Sequence, residues 1–486
     1  MSTFEDVNKI IFCEKNFNIV KYKFKGIELW PLVRENFLNE FIHNIKGSSP
    51  KKKKNKKTLK IILIHIIIIF KNTINYKIKS SKWKLKKCDL FFLSSYNHYF
   101  DLISGKDYNR FIDPYIEILK DRYSCSKYVV SDYEKKINPL IPCLHISNKL
   151  IKEIKFSFFF LFSNSLIDKQ IDLIKSELDI KINERYFKRK LFEIIANYEL
   201  FKKLLRKTTP KLVFLIPYYS TECFGLTLAA KELEIKVVEI QHGKNGKYNY
   251  MKSHLHQFPK NGFKLLPDFF FTWGDGFSKE LSKYFPKEFT KHSTYPVGNP
   301  WMTKCAEEDF IKANKKRLNF LEEKNYMKLV LFSLQALEYD MVFPDWLVEI
   351  IEQNKNIFWL LRTHPTQTYN SVNWKDCDKL SNVNILEASS VPLFYILNKI
   401  DINITLWSSV CIDALEFGVK SVIIHEEGKK IYEDQINKGL FEYCNNKNEL
   451  IELLLYTKKN KIKKSKNIIT DKSKIKKSIF DFVDSI

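Results

Sequence analysis

From residue 88 onward, short apolar runs alternate with longer amphipathic stretches, and the runs have the length of strands. Asp89-Leu-Phe-Phe-Leu93 is the first run, and it ends in the polar Ser94-Ser-Tyr-Asn-His98. A helix is expected over 112–119 and a strand over 127–130. Residues 166–206 read as helix-rich, followed by a strand over 211–216 and a helix over 222–233. Two further strands, 237–240 and 268–272, precede a helix that starts at Gly276. Pro296-Val-Gly-Asn-Pro300 then punctuates the chain, because two prolines and a glycine in five residues end any regular element. A second series follows, with strands at 329–332, 358–361, 383–386, 402–406 and 421–424 and helices near 346–353, 392–397 and 410–417. Alternation of this kind predicts α/β architecture with parallel sheets. The expected organisation is two doubly wound domains, 88–300 and 301–486, facing one another across a ligand cleft at the carboxyl ends of their strands. Residues 1–87 read as an N-terminal extension whose clearest word is Gly26-Ile-Glu-Leu-Trp-Pro-Leu-Val-Arg34. No repeat of fixed period is visible.

The polar clusters gather at the ends of the expected strands. Ser408 and Ser409 follow the 402–406 run and precede a helix, where free N–H groups and the helix dipole favour an anion. A serine there also serves as an ordinary helix cap. Asp413 lies four residues after Ser409 and can orient it from the same helix face, or sit solvated on that face. Glu416 is within reach of a ribose hydroxyl in the same crevice. Arg362 and His364 end the 358–361 run, and Pro365 holds His364 extended. Both can meet a phosphate, although a surface loop capped by Thr366 explains the same residues. In the first domain Gln241-His242-Gly243-Lys244 ends a strand. Gly243 permits close backbone approach, and histidine is the usual general base near neutral pH. Glu222 and Asp275 also sit at strand ends and are back-up bases. Turn chemistry is the better explanation of Trp273-Gly-Asp-Gly276.

Charge narrows the partners. The 486 residues include 81 Lys and Arg against 56 Asp and Glu, a formal charge of +25. Six lysines fill 51–57, and the block directly precedes the apolar run 61–70. A basic patch beside an apolar one suits the surface of an anionic bilayer. Neither that run nor 156–162 approaches the roughly 20 residues of a spanning helix. No helix-turn-helix, zinc-finger or RNP signature points to nucleic acid. The nine cysteines are scattered singly, with no C-x-x-C pair, so neither a disulfide framework nor a zinc site is expected. The N-terminus lacks the basic and apolar segments of a secretory signal, which makes a cytoplasmic location the expectation.

Arg362-x-His364-Pro365 followed by Ser408-Ser409-Val410-x-x-Asp413 resembles the pattern of the CDP-glycerol glycerophosphotransferases of teichoic-acid synthesis. His242-Gly243-Lys244 is similar to the His-Gly segment of their first domain. The His-Pro and Ser-Ser pairing also resembles bacterial sialyltransferases and capsule Kdo transferases, which use CMP-activated sugars. The resemblance covers roughly residues 200–440. The chain departs from the teichoic-acid pattern at Leu406-Trp407, with Thr405 one place further back than expected, and it lacks the paired-acid segment of sialyltransferases. The resemblance implies a GT-B-type fold of two Rossmann-like domains, with His364 and the serines on donor phosphate and His242 as base.

The expectation is therefore a metal-independent glycosyltransferase of capsule or other surface-polysaccharide synthesis. It takes a nucleotide-activated sugar, cytidine-linked, to a lipid-linked glycan at the inner face of the cytoplasmic membrane, as a peripheral protein. His242 accepts the acceptor's proton. Arg362, His364, Ser408, Ser409 and Lys244 hold the phosphate, and Glu416 holds the ribose. No D-x-D cluster calls for a metal ion, and no cofactor is expected beyond the co-substrate. The rivals are a CDP-glycerol or CDP-ribitol transferase, a nucleotide-sugar epimerase and a non-catalytic glycan- or lipid-binding scaffold. The basic extension argues against the epimerase, and the intact polar set argues against the scaffold.

Overall fold

The strands that build this protein are apolar on both faces, as parallel strands covered on two sides must be. In the computed structural model Leu90–Ser95 (β1) is buried from Leu90 to Ser94, Leu212–Leu215 (β4) is wholly buried, and so is Ile357–Arg362 (β9). The structure describes residues 3–45, 85–103, 105–131, 137–147, 165–243, 251–285, 291–312, 319–321, 326–335, 344–365, 367–456 and 468–486. The lysine block 51–57, the apolar runs 61–70 and 156–162, Lys244 and Thr366 lie outside these residues. By its contacts the chain divides into two compact units. The first holds residues 1–99, 111–297 and 476–486, and the second holds 100–110 and 298–475.

The first unit carries a seven-stranded sheet. Its other strands are Cys125–Ser131 (β2), Leu144–Ser147 (β3), Lys236–Ile240 (β5), Phe269–Thr272 (β6) and Ser293–Pro296 (β7). The spatial order is β7-β6-β5-β4-β1-β2-β3, and every pairing is parallel. The chain winds outward from β1 to β3, then returns to the opposite side of β1 to lay down β4. The second unit repeats this plan with six strands: Lys328–Ser333 (β8), β9, Val383–Asn384 (β10), Ile402–Thr405 (β11), Lys420–Ile423 (β12) and Phe441–Tyr443 (β13). Their order is β10-β9-β8-β11-β12-β13, again all parallel. Each sheet therefore reverses direction once, beside its first strand. Both are doubly wound, Rossmann-like α/β domains, as expected.

The expected extension is not separate over its described part. Helices Thr3–Asn16 (α1) and Trp30–Ile45 (α2) flank a two-residue hairpin, in which Lys23–Phe24 pairs with Ile27–Glu28. Lys25 and Gly26 make the turn with φ of 50° and 76°, a geometry that favours glycine at the second position. Ile10, Cys13, Tyr22, Trp30 and Val33 belong to the same core as Phe91, Tyr128 and Val213 of the sheet. Glu14 and Arg34 are buried there too, at 0% and 2% side-chain exposure, and form an ion pair. Trp30 Nε1 also donates to Glu14 (2.6 Å), as does the His256 backbone N–H (2.8 Å). Arg34 donates to the Ser253 carbonyl. Arg34, at the end of the Gly26–Arg34 word, thus grips Ser253, while Glu14 holds His256.

Three edge strands, β3, β7 and β13, escaped the apolar-run reading because they are short and mixed in polarity. Residues 383–386 were expected as one strand. Pairing stops at Asn384, and Leu386–Ser390 turns into a helix with Leu386 63% exposed. None of the nine cysteines is disulfide-bonded. Among the described residues no helix is long and apolar enough to cross a membrane.

Removing Arg34 would leave the Glu14 carboxylate buried without its cation, an error that typically costs about 3–5 kcal/mol. Arg34→Met is expected to lower the unfolding free energy of the first unit by that order in a urea titration. A change within about 0.5 kcal/mol, as at an ordinary surface site, would contradict the buried pair.

Candidate functional site

In a doubly wound sheet the loops on either side of the reversal splay apart and leave a crevice at the carboxyl ends of the strands. In the second unit the reversal lies between β8 and β11. Ser408 and Ser409 follow β11 directly. Ser333 pairs with both Arg362 and Thr405, so the ends of β9 and β11 stand at one level of the sheet. They are separated by β8 alone, a span of about 10 Å at two strand spacings. The structure thus brings His364, two residues past Arg362, and Ser408, three past Thr405, to the same rim.

A buried polar ladder fixes the serine loop. Asn403 Nδ2 donates to Ser421 Oγ (3.0 Å), and Ser333 Oγ donates to Asn403 Oδ1 (3.1 Å). Thr405 Oγ1 donates to the Ser333 carbonyl (2.9 Å) and accepts from the Ser408 N–H (3.0 Å). From the other side Tyr432 Oη donates to the carbonyls of Trp407 (3.3 Å) and Ser408 (3.1 Å). Helix Glu426–Ile431, which leads to Tyr432, comes so close that a Cβ on Gly428 would sit 1.9 Å from the Leu406 carbonyl oxygen. Only glycine fits there.

Helix Val410–Glu416 (α3) follows the serines, with Ser409 at its N-cap position. The Ser409 side chain makes no capping hydrogen bond, and the Ser408 hydroxyl accepts only a long 3.4 Å contact from the Val410 N–H. Capping therefore does not occupy the Ser409 hydroxyl. Asp413 is 9% exposed, and its Oδ1 has no hydrogen-bond partner among the described residues. It does not bond to Ser409 through its side chain. Burial pushes its carboxyl up to about 7, Arg110 pulls it down and the Glu416 carboxylate raises it again. At neutral pH Asp413 is thus part protonated and can donate as well as accept. Arg110 was not foreseen. It reaches the second unit on the segment 100–110, where its guanidinium lies 6.0 Å from the Trp301 ring. Glu416 is buried at the end of α3, 7% exposed.

Arg362 has a different setting from the one expected. It is 8% exposed, and its Nη1 donates to the carbonyls of Ala388 and Val391 (2.8 Å to the latter). It satisfies the C-terminal end of helix Leu386–Ser390, so at least this part of the guanidinium supports the loop. His364 is half-buried in the turn that follows, its carbonyl accepting from the Gln367 N–H (2.8 Å).

In the first unit the reversal lies between β1 and β4. His98 follows β1, Tyr219 and Glu222 follow β4, and His242 follows β5. The structure brings three of these together. Tyr219 Oη is 3.3 Å from His242 Nε2, and the Phe111 ring stands edge-on to both His98 (5.7 Å) and His242 (6.5 Å). About a quarter of the His242 side chain (26%) is exposed, so the ring is reachable. Its surroundings nevertheless hold its pKa well below the ordinary 6.5, first through burial, then through the Lys252 cation and His98. His98 is driven down to about 4 by burial. Both imidazoles are neutral at physiological pH and can accept protons.

Beneath His242 lies an ion pair that the sequence reading missed. Glu239 and Lys252 are 0% and 1% exposed, with Nζ 2.7 Å from Oε2. Glu239 Oε1 accepts from the Tyr218 N–H (3.3 Å) and lies 3.9 Å from His242 Nδ1. The available signal was a glutamate inside the buried run Val237-Val-Glu-Ile240, which requires a cation. Glu222 is half-exposed in the first turn of helix Thr221–Glu232, at the same crevice. Asp275 stands apart. It is exposed in the first turn of helix Asp275–Ser282, which follows β6, two strands from the reversal. A carboxylate there meets the positive end of its own helix. Gln241 ties the β5 loop down, its Oε1 accepting from the Trp273 N–H (2.8 Å) and its Nε2 donating to the Gly243 carbonyl (2.8 Å). Among the described residues no three His, Cys, Asp or Glu side chains gather as a metal-binding cluster.

Neither a protein-family model nor a curated protein matches the chain. Among solved structures it is similar to the UDP-GlcNAc 2-epimerase of Neisseria meningitidis bound to UDP-GlcNAc, at 13% identity and a TM-score of 0.47, over 82% of this chain and 98% of that one. It is similar to the UDP-GlcNAc 2-epimerase of Methanocaldococcus jannaschii at 13% identity and a TM-score of 0.47, over 82% and 99%. It is also similar to the wall teichoic acid polymerase TagF at 10% identity and a TM-score of 0.46, over 86% and 98%.

Proposed function

We propose that the protein is a glycosyltransferase of surface-polysaccharide synthesis that moves a sugar from a cytidine-linked nucleotide donor to a lipid-linked glycan. One observation carries the reading: a rigidly held Ser408–Ser409 loop at the reversal point of the second sheet, with a Ser409 hydroxyl not engaged in capping and His364 on the same rim. Hydroxyl and imidazole donors on a fixed backbone suit a phosphate whose negative charge grows as it leaves.

In the transfer, the acceptor hydroxyl gives its proton to His242 while its oxygen bonds to the anomeric carbon. The bond from that carbon to the donor phosphate oxygen breaks, and the phosphate departs with the electron pair. Ser408, Ser409 and His364 hold the departing charge, with Lys244 as a further cation. Asp413, carrying a proton near neutrality, donates to a phosphate oxygen, and Arg110 adds positive charge beside it. Glu416 takes the ribose. Arg362 acts as a support for the His364 turn rather than as a direct ligand. Glu222 and Asp275 remain alternative bases. The lysine block at 51–57 supports a peripheral position on an anionic membrane at the inner face of the cytoplasmic membrane.

A thermal-shift panel of CMP, CDP, UDP and GDP tests the donor. A ligand at 100 times its dissociation constant stabilises the protein by about 2.7 kcal/mol, and the cytidine nucleotides are expected to do so. A response to UDP alone would favour an epimerase-like use of the same crevice, and no response to any nucleotide would favour a scaffold. The Ser408→Ala/Ser409→Ala double variant is expected to bind CMP at least about tenfold more weakly by calorimetry, since each hydrogen bond to a charged group is worth about 1.5–3 kcal/mol. His364→Ala is expected to lower kcat about 10²–10³-fold, the usual loss for one donor to a developing charge, with the fold intact by circular dichroism. Near-normal turnover would remove His364 from the phosphate.

The rate is expected to rise with pH through an ionisation below 6.5, because the His242 pKa is depressed and the neutral ring is the base. His242→Asn should abolish that limb. If the limb survives in His242→Asn and disappears in Glu222→Gln or Asp275→Asn, the base is the carboxylate.

A further inference from the structure

A general base works only if its ring is held in the right tautomer. When one ring nitrogen of a histidine donates to a carboxylate, the other is left as the acceptor. His242 has such a carboxylate at hand. Its Nδ1 makes no hydrogen bond among the described residues, yet Glu239 Oε1, on the preceding strand β5, lies 3.9 Å away. That distance exceeds a hydrogen bond, and such contacts are often long in ligand-free enzymes and shorten when the reacting complex forms. On the other side Nε2 faces Tyr219 Oη at 3.3 Å.

Burial raises the pKa of the Glu239 carboxyl above its ordinary value, and Lys252 pulls back against that rise. The ammonium at 2.7 Å and the Tyr218 N–H at 3.3 Å both favour the charged form. Lys252 owes its position to its neighbours. Tyr218 Oη donates to the Met251 carbonyl, and Arg34 donates to the Ser253 carbonyl, gripping the chain on either side of the lysine. Arg34 is itself fixed by Glu14.

We infer that Glu239 is the positioning residue of His242, holding the ring with Nδ1 protonated and Nε2 unprotonated, the acceptor of the Tyr219 hydroxyl in this state, and that Lys252, gripped through Ser253 by Arg34, favours the ionised form of Glu239. The inference rests on His242 being the base of the proposed transfer. Glu239 does not touch substrate. It acts by leaving Nε2 as the accepting nitrogen and by stabilising the imidazolium once a proton arrives. The N-terminal helices, 200 residues away in sequence, thereby contribute to the chemistry of the first unit's crevice.

The test is a ring-nitrogen NMR measurement on the full chain labelled with 15N-imidazole histidine, with His242 assigned by loss of its signals in His242→Asn. Five groups face the ring and can move its midpoint: Glu239 on β5, Lys252, Tyr219, His98 and the Ile240 backbone. The tautomer is therefore the primary readout. In the ligand-free wild type the expected signature is a protonated-type Nδ1 and an unprotonated-type Nε2. The opposite tautomer overturns the proposal without any variant. In Glu239→Gln the His242 midpoint is expected to fall further, because the negative partner is gone while Lys252 stays. Glu239→Leu/Lys252→Met, which removes both buried charges, should convert the single tautomer into a mixture. An unchanged tautomer in that variant overturns the proposal. His292 reports folding in the same spectra. Its Nε2 accepts from the Phe263 N–H (3.0 Å) and its Nδ1 meets the Pro267 carbonyl (2.6 Å), so its signals stay fixed in any folded variant. These signals read the ring and not the reaction. A retained pH limb in His242→Asn would remove the base reading and leave the Glu239 result standing, and the converse holds as well.

Discussion

A buried charge must be answered where it lies, because an unpaired one in the interior costs several kcal/mol. That constraint organises the first unit. Glu14 is answered by Arg34, and Glu239 by Lys252, with all four side chains at 2% exposure or less. The two pairs are joined through adjacent residues, since Arg34 donates to the carbonyl of Ser253, the neighbour of Lys252. Satisfying both pairs requires α1, α2, strand β5 and residues 251–257 to meet in one arrangement. His242 sits at the end of β5, so its surroundings are set by residues distant in sequence. A core filled only with apolar side chains would tolerate small shifts among these elements. Two ion pairs in register do not.

The second unit reaches the same end with neutral groups. Ser333, Asn403, Ser421 and Thr405 form a ladder across three neighbouring strands, and its last rung is the N–H of Ser408. A hydroxyl or amide in a parallel strand weakens the core unless it is paired. Here each rung is paired, and the ladder pins the loop where the winding of the sheet reverses. Both units thus spend buried polar groups just below the reversal point of the sheet, where a doubly wound fold opens a crevice.

Much of the fold was legible. The strands β1, β4, β5, β8, β9, β11 and β12 are apolar runs with few alternatives, and the long helix Glu184–Thr208 has clear amphipathic spacing. The collection of polar clusters at strand ends followed from the runs themselves. What was hidden depended on long-range partners. Arg362 looked like a phosphate ligand because a strand-end arginine usually faces solvent. Only the fold brings the carbonyls of Ala388 and Val391 to it. The first 37 residues looked like an appendage because nothing local reveals that Glu14 and Arg34 answer each other across a core shared with β1. Residues 100–110 sit in the second unit for a similar reason, since Tyr108 packs on Trp301, 5.4 Å between ring centres and 193 positions along. Glu239 was visible as an anomaly within a buried strand, but nothing local points to Lys252 as its cation.

The central claim is that a nucleotide phosphate lodges at the reversal point of the second sheet. A crystal structure of the protein with CMP or CDP tests this most directly. The expected result is a phosphate within hydrogen-bonding distance of the Ser408 and Ser409 hydroxyls and His364, with the ribose toward Glu416. A nucleotide bound elsewhere in the ordered complex, with the Ser408–Ser409 loop unengaged, would contradict it.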